Sequence, residues 1–242
     1  THCVGAITQP QYARLVVENA KQLGWVVVTD DNSGEAPSAE QQGHGQESFD
    51  VLRGDAAACP TRPADPMAPA GIMFTSGTTS RPKAVVHTHA NALWASRMGP
   101  INIDMTTDDT YLVYLPFFHV NAQSWSFWTT LGAGGTIVLQ PKFSASRFIE
   151  ECRETGATTF QYIGELCRYL VSTDAKPDDH RNPLTRTIGN GLRPDIWHEF
   201  KTRFGIKRIT EFYGASEGNV AFANILNKNC TVGMTSARIA LV

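Results

Sequence analysis

The sequence predicts an α/β fold in which a mainly parallel sheet is flanked by helices. Three observations carry that prediction. Strand-like segments recur at residues 72–74, 111–115, 136–139, 158–163 and 208–212, separated by stretches that can be helical, and such alternation builds parallel sheets covered on their faces. Residues 144–155 carry Phe148, Ile149 and Cys152 on one stripe, with Ser144 as N-cap and Gly156 just past the end, which is a helix signature. A chain of 242 residues, 42% hydrophobic and 18% charged, is globular in composition and long enough to bury a sizeable core.

In chain order, Pro10 opens a periodic stretch with Tyr12, Leu15, Val16, Ala20 and Leu23, and Gly24 ends it before the strand Val26-Val27-Val28. From residue 30 to residue 69 the large apolar residues thin to Phe49, Val51, Leu52 and Met67 while prolines accumulate. This reads as a surface excursion with one short strand at 49–52. Beyond the recurrent strands, residues 164–173 and 194–204 are the next helix candidates. No internal repeat at solenoid spacing is present.

The net charge of −2 provides no global basic field for nucleic acid or an anionic membrane. No uncharged apolar run approaches the ~18 residues of a membrane span, and the amino terminus lacks a basic region followed by an apolar stretch. Cys3, Cys59, Cys152, Cys167 and Cys230 are odd in number and far apart, unlike a disulfide framework or a zinc knuckle. A soluble, cytoplasmic chain with reduced thiols is the expectation.

Four motifs bear on chemistry. Phe74-Thr75-Ser76-Gly77-Thr78-Thr79-Ser80-Arg81-Pro82-Lys83 follows a strand and concentrates hydroxyls, a glycine and a lysine. Those groups can surround phosphate oxygens, although the same residues can also make a Ser/Thr-rich turn closing at Pro82. The second motif, Gly214-Ala215-Ser216-Glu217-Gly218, matches the nucleophile elbow G-x-S-x-G. A hydrolase would need an acid and then a histidine after the serine, and neither His nor Asp follows Ser216. Glu217 then reads either as a strand-end carboxylate suited to a hard cation or as a surface acid. Gly189-Asn190-Gly191-Leu192-Arg193 permits backbone contact with a flat ring or makes a plain turn. Residues 110–141 hold no Asp, Glu, Lys or Arg and many aromatics; they form core or, with His119, Asn121, Gln123 and Ser124 at their centre, a lined pocket.

Together these residues resemble the adenylate-forming superfamily of acyl-CoA synthetases, adenylation domains and luciferases. Residues 75–83 look like its phosphate signature T-S-G-T-T-G-x-P-K, Pro116-Phe117-Phe118-His119 like its P-x-F-H element, and Tyr213-Gly214-Ala215-Ser216-Glu217 like its Y-G-x-T-E. Phe160-Gln161-Tyr162-Ile163-Gly164-Glu165-Leu166, the GNGLR run and Glu211-Phe212-Tyr213-Gly214 are most similar to fatty-acid-transport-type and very-long-chain acyl-CoA synthetases, and residues 118–123 to carnitine-CoA ligase relatives.

The resemblance implies that Thr75, Ser76, Gly77, Thr78, Thr79 and Lys83 hold the phosphates of ATP. It sets Asn190 and Gly191 against adenine, flanked by Tyr213 with Gly214 and Ala215. Ser216 would meet the phosphate of ATP or AMP, Glu217 would ligate Mg²⁺, and His119 would stand near the acyl carboxylate. Lys83, His119 and Glu217 are the implied catalytic residues. Coenzyme A and a carboxylic acid are the implied co-substrates, with peripheral membrane contact and oligomerisation left open.

Ser80 and Ala84 stand where the family pattern has glycine, and Ser216 where it has threonine. Residues 1–242 are expected to be an internal part of the large domain, without the small carboxy-terminal domain and inactive alone. A non-catalytic nucleotide-binding module is the alternative, ahead of a serine hydrolase using Ser216.

Overall fold

The computed structural model describes residues 3–29, 46–48, 52–61, 63–75, 82–218 and 221–235. The chain divides into two compact units, Thr1–Ala64 and Asp65–Val242. In the first, β1 (Gly5–Thr8), α1 (Pro10–Asn19), β2 (Trp25–Val28) and β3 (Gln46–Ser48) form a parallel sheet of order β1-β2-β3 with one helix. Pro10 occupies the first helical turn, where its missing N–H is not needed, and Val26, Val27 and Val28 are buried. Of the strand expected at 49–52, residues 49–51 lie outside the described residues.

In the second unit β4 (Pro69–Thr75) and β5 (Lys83–Thr88) pair with each other as an antiparallel hairpin, Ile72 opposite Val86 and Thr75 opposite Lys83. Residues 72–74 were expected in the same sheet as 208–212, and here the structure corrects the sequence reading. They are a strand, but their backbone groups are taken up by the chain that returns directly after them, and an antiparallel return needs no crossover. Lys83 accordingly opens a strand instead of lying within the loop.

The larger sheet has the order β11-β10-β9-β8-β6-β7. Its strands are β6 (Thr110–Val113), β7 (Thr136–Leu139), β8 (Thr159–Ile163), β9 (Arg186–Asn190), β10 (Arg208–Gly214) and β11 (Ala221–Ala223). β6 to β10 run parallel and β11 returns antiparallel. Successive side chains point to opposite faces, so the strands feed two cores. Leu112, Phe160, Tyr162 and Ile209 enter one, with Phe148 of α4 (Phe148–Thr155), Leu170 of α5 (Gly164–Val171) and Trp197 of α6 (Pro194–Arg203). Tyr111, Val113, Ile188 and Phe212 enter the other, with Ile103 of α2 (His89–Ile103) and Trp125 of a π-helical segment, Ala122–Trp128, that runs into α3 (Thr129–Ala133). Helices cover both faces, as the α/β expectation requires. Among the described residues no helix is long and apolar enough to cross a membrane.

Two helices differ from the sequence pattern. α2 has no clean signature because Pro100 lies inside it and cannot donate to the Ser96 carbonyl. Gly132 of α3 approaches that same carbonyl, and a Cβ on Gly132 would stand 1.8 Å from it. α4 starts at Phe148 and not at Ser144, because the Arg147 N–H closes a separate turn on the Ser144 carbonyl at 3.2 Å. α6 is held by Arg203, whose side chain is 10% exposed and donates to Asp179 at 2.7 Å and to the carbonyls of Val171, Thr173 and Asp174.

Candidate functional site

β6 leaves the carboxyl edge of the large sheet for β7 through the π-helical segment and α3 on one face. Its neighbour β8 leaves for β9 through α5 on the other face. Adjacent strands whose connections diverge open a crevice, and open α/β sheets hold ligands there. Residues 114–121 follow β6 at this edge, Gly164 follows β8, Gly191 follows Asn190 at the end of β9, and residues 213–217 close β10.

The backbone here is close-packed. A Cβ on Gly164 would lie 1.8 Å from the Gly191 carbonyl oxygen, and one on Gly189 would lie 2.2 Å from that of Tyr162. Gly191 itself has φ of +86°. The two glycines that bracket Asn190 are therefore needed for different reasons, close approach at 189 and a left-handed backbone at 191.

Glu211 of β10 secures this turn. It is 4% exposed and accepts the backbone N–H groups of Gly191 and Leu192 and the hydroxyl of Tyr162. Burial pushes its carboxyl above the ordinary glutamate range, against the opposing pull of those hydrogen bonds. A carboxyl raised in this way contributes stability that is complete at low pH and lost as pH rises through its folded value. Glu211→Gln keeps an acceptor toward Gly191 and Leu192 with no charge to desolvate. Its melting temperature is expected to gain on the wild type's as pH is raised from about 4 to about 8. Thermal melts across that range check this, and a difference independent of pH would remove Glu211 as a titrating element of the fold.

A second polar chain crosses the crevice. Ser126 donates to Gln161 Oε1, and Gln161 Nε2 donates to the Asn121 main-chain oxygen at 3.1 Å and to Asn121 Oδ1. Asn121 Nδ2 donates to Asn190 Oδ1 at 3.0 Å. Beside it, His119 Nδ1 accepts the Asn121 backbone N–H at 3.1 Å, which assigns the proton of the neutral ring to Nε2. His119 is exposed, as are Phe118 and Tyr213.

Tyr213 and Gly214 end β10, paired with Phe222 and Ala221 of β11. A turn follows in which the Gly218 N–H meets the Ala215 carbonyl at 2.9 Å. Ser216 is partly buried in that turn and Glu217 is exposed on it, without a hydrogen-bond or ion-pair partner among the described residues. The ends of adjacent β9 and β10 thus bring Asn190 and Gly191 beside residues 213–217, and Asn121 links them to the His119 loop. Thr75 and Lys83 face each other across the hairpin, and no hydrogen bond or ion pair among the described residues ties them to this edge. Ser76, Gly77, Thr78 and Thr79 lie outside the described residues. Sequence reasoning assigned no role to Glu211, Gln161 or Gly164; the available signal was a polar residue set in each of two apolar strands.

The model of the family described as AMP-binding enzyme matches residues 4–239. Over 171 residues the chain is 46% identical to a medium/long-chain-fatty-acid–CoA ligase of Mycobacterium tuberculosis, covering 70% of this chain and 29% of that protein. Over 174 residues it is 38% identical to long-chain fatty acid transport protein 5 of Homo sapiens, covering 72% and 25%. The chain thus spans between a quarter and a third of the length of these relatives. Among solved structures it superposes on a luciferase-like enzyme of the mealworm Zophobas morio with a TM-score of 0.75 at 17% identity, covering 96% of this chain and 55% of that one. An anthranilate CoA ligase in complex with anthranoyl-AMP gives 0.73 at 20% identity, covering 88% and 41%. These superpositions carry the fold alone. With the family match running through nearly the whole sequence, the chain belongs to the AMP-binding enzyme family.

Proposed function

We propose that this chain is the nucleotide-binding part of the large domain of an ATP-dependent acyl-CoA ligase acting on a fatty or related carboxylic acid. The observation that carries the reading is the carboxyl edge, where β9 and β10 deliver Asn190, Gly191 and residues 213–217 side by side next to the crevice between β6 and β8. In this reading Asn190 and Gly191 lie against adenine, with Tyr213, Gly214 and Ala215 flanking it. Ser216 meets the phosphate, residues 75–79 and Lys83 hold the remaining phosphates, and His119 stands by the acyl carboxylate. The carboxylate attacks the α-phosphorus, making an acyl-adenylate and releasing pyrophosphate. The thiol of coenzyme A then attacks the acyl carbon, forming the thioester and releasing AMP and a proton. Such chemistry asks the protein for positioning and charge neutralisation more than for a nucleophile.

Glu217 fits a magnesium ion, because its hard oxygens are exposed at the edge and unpaired among the described residues, and Mg²⁺ is commonly held by one or two carboxylates together with substrate phosphates. The ion would supply positive charge against the phosphates. The cytoplasm is the proposed setting, on the five free cysteines.

In the parent enzyme Lys83→Ala is expected to slow adenylation about ten- to a hundredfold through loss of a charge-assisted phosphate contact of roughly 1.5–3 kcal/mol. Glu217→Gln, which keeps the size and loses the charge, is expected to raise the magnesium requirement. Acid-dependent exchange of pyrophosphate into ATP measures both, and unchanged rates at all magnesium concentrations would remove these roles. For the 242-residue chain itself the expectation is weak ATP·Mg²⁺ binding by calorimetry with no acyl-CoA detectable by mass spectrometry. Robust thioester formation by this chain would overturn the assignment to a nucleotide-binding part, and binding without exchange in the parent enzyme would favour a non-catalytic module.

A further inference from the structure

We infer that Asn121 and Gln161 are positioning residues that lock the carboxamide of Asn190 with its oxygen turned inward, so that Asn190 offers only N–H donors to the crevice and reads an acceptor nitrogen of the purine ring. The inference rests on the nucleotide reading above and adds to it the polarity of the base contact.

The polarity follows from one anchor. The main-chain oxygen of Asn121 can only accept, so the end of the Gln161 amide that meets it at 3.1 Å is Nε2. The other end, Oε1, accepts from Ser126. Gln161 Nε2 also meets the Asn121 side chain, whose near atom must then be the oxygen, Oδ1. That leaves Nδ2 as the only atom of Asn121 able to reach Asn190, and its partner there must be an acceptor, Asn190 Oδ1, at 3.0 Å. No amide in the chain can turn over without setting donor against donor or acceptor against acceptor.

Burial enforces the arrangement. Gln161 and Ser126 are fully buried and Asn121 is 8% exposed, so a mismatched contact would leave polar atoms without water to satisfy them. Asn190, at the outer end, is exposed. Its Nδ2 meets no protein acceptor among the described residues. Adenine presents both kinds of edge, an exocyclic amine that donates and ring nitrogens N1, N3 and N7 that accept. A fixed N–H donor selects the ring nitrogens.

The test compares AMP with its 1-deaza, 3-deaza and 7-deaza analogues, titrated by calorimetry into the 242-residue chain and into Asn121→Asp. The aspartate keeps an acceptor toward Gln161 and has no donor for Asn190, whose carboxamide then turns over and exposes its oxygen. In the wild type one of the three analogues is expected to bind about three- to tenfold more weakly than AMP, a hydrogen bond's worth. In Asn121→Asp that analogue and AMP are expected to bind alike, a coupling that general loosening of the fold would not produce. Absence of a penalty for every analogue, or a penalty equal in both proteins, overturns the inference while leaving the nucleotide reading intact. A wild type that binds no AMP at all overturns the nucleotide reading and the inference with it.

If Asn121→Asp does not fold, proton exchange of the Asn190 side-chain amide in the wild type decides, with its resonance assigned by disappearance in Asn190→Asp. Rapid exchange is expected of a free NH₂ group. Protection from exchange would show the nitrogen turned inward and overturn the inference.

Discussion

Gly164→Ala is expected to cost about 3 kcal/mol and to lower the melting temperature by roughly 6–12 °C. The added methyl would stand 1.8 Å from the carbonyl oxygen of Gly191, and the obstacle is backbone held from two sides. Gly191 cannot retreat without leaving its left-handed conformation or its contact with Glu211. Gly164 cannot retreat without unwinding the first turn of α5 or withdrawing the end of β8 from its pairing of Ile163 with Asn190. Gly71→Ala is the control, since nothing lies within 4 Å of its notional Cβ, and a change within about 0.5 kcal/mol is expected there. Thermal melts of the two variants, followed by AMP titration, make the comparison. A loss below about 1 kcal/mol for Gly164→Ala would mean that the junction yields easily and that the crevice floor is not held by this contact.

Arg203→Met is expected to destabilise the second unit by about 3–5 kcal/mol, because it strands a buried carboxylate. The side chains of Arg203 and Asp179 are 10% and 8% exposed, and the guanidinium also serves three carbonyls and the Thr173 hydroxyl. Burial alone would raise the Asp179 carboxyl, but the Lys176 backbone N–H and Arg203 together hold it below the usual carboxylate range. A lowered carboxyl contributes stability above its unfolded pKa of about 3.9 and loses it as pH falls through the lower folded value. Denaturant titrations at pH 7 and pH 3 read both effects, with the gap between variant and wild type expected to narrow in acid. Asp179→Asn combined with Arg203→Met is expected to recover part of the loss, since no charge is then left buried alone. Equal stability of Arg203→Met and wild type at neutral pH would rule out this pair as a support of α6.

The legible and illegible parts of this molecule divide along physical lines. The strands at 26–28 and 159–163 are readable because parallel strands buried on both faces are runs of apolar and β-branched residues, and the half-exposed edge strand at 136–139 is readable from its run Ile137-Val138-Leu139. β9 is not, since Arg186-Thr187-Ile188-Gly189-Asn190 holds one large apolar residue and a glycine present to admit Tyr162. α2 is hidden by Pro100, whose missing hydrogen bond faces a helix that sequence pattern cannot place. At the candidate site, Asn190, Gly191 and residues 213–217 form local motifs and can be named from the sequence. Glu211, Gln161 and Gly164 act through partners far along the chain, so their roles appear only when β8, β9 and β10 lie side by side. The hairpin of β4 and β5 shows the opposite error, a strand read correctly and then assigned to the wrong sheet because apolar pattern does not say which neighbour a strand will choose.

The π-helical segment Ala122–Trp128 also limits how the chain can change in length. A wide turn of this kind amounts to one residue inserted into an α-helix, and here it separates Asn121 from the buried Thr129 and Thr130. Inserting a further residue between them, or winding the same residues as a regular α-helix, would rotate the two ends relative to each other by about 100°. Either Asn121 would leave Gln161 and Asn190, or α3 would present a different face to the Ser96 carbonyl. The segment therefore works as a phase shifter, setting the crevice-facing residues and the core-facing residues of one continuous helix on separate clocks. Related chains should accordingly carry over residues 121–133 either the same number of residues or one fewer with the wide turn gone.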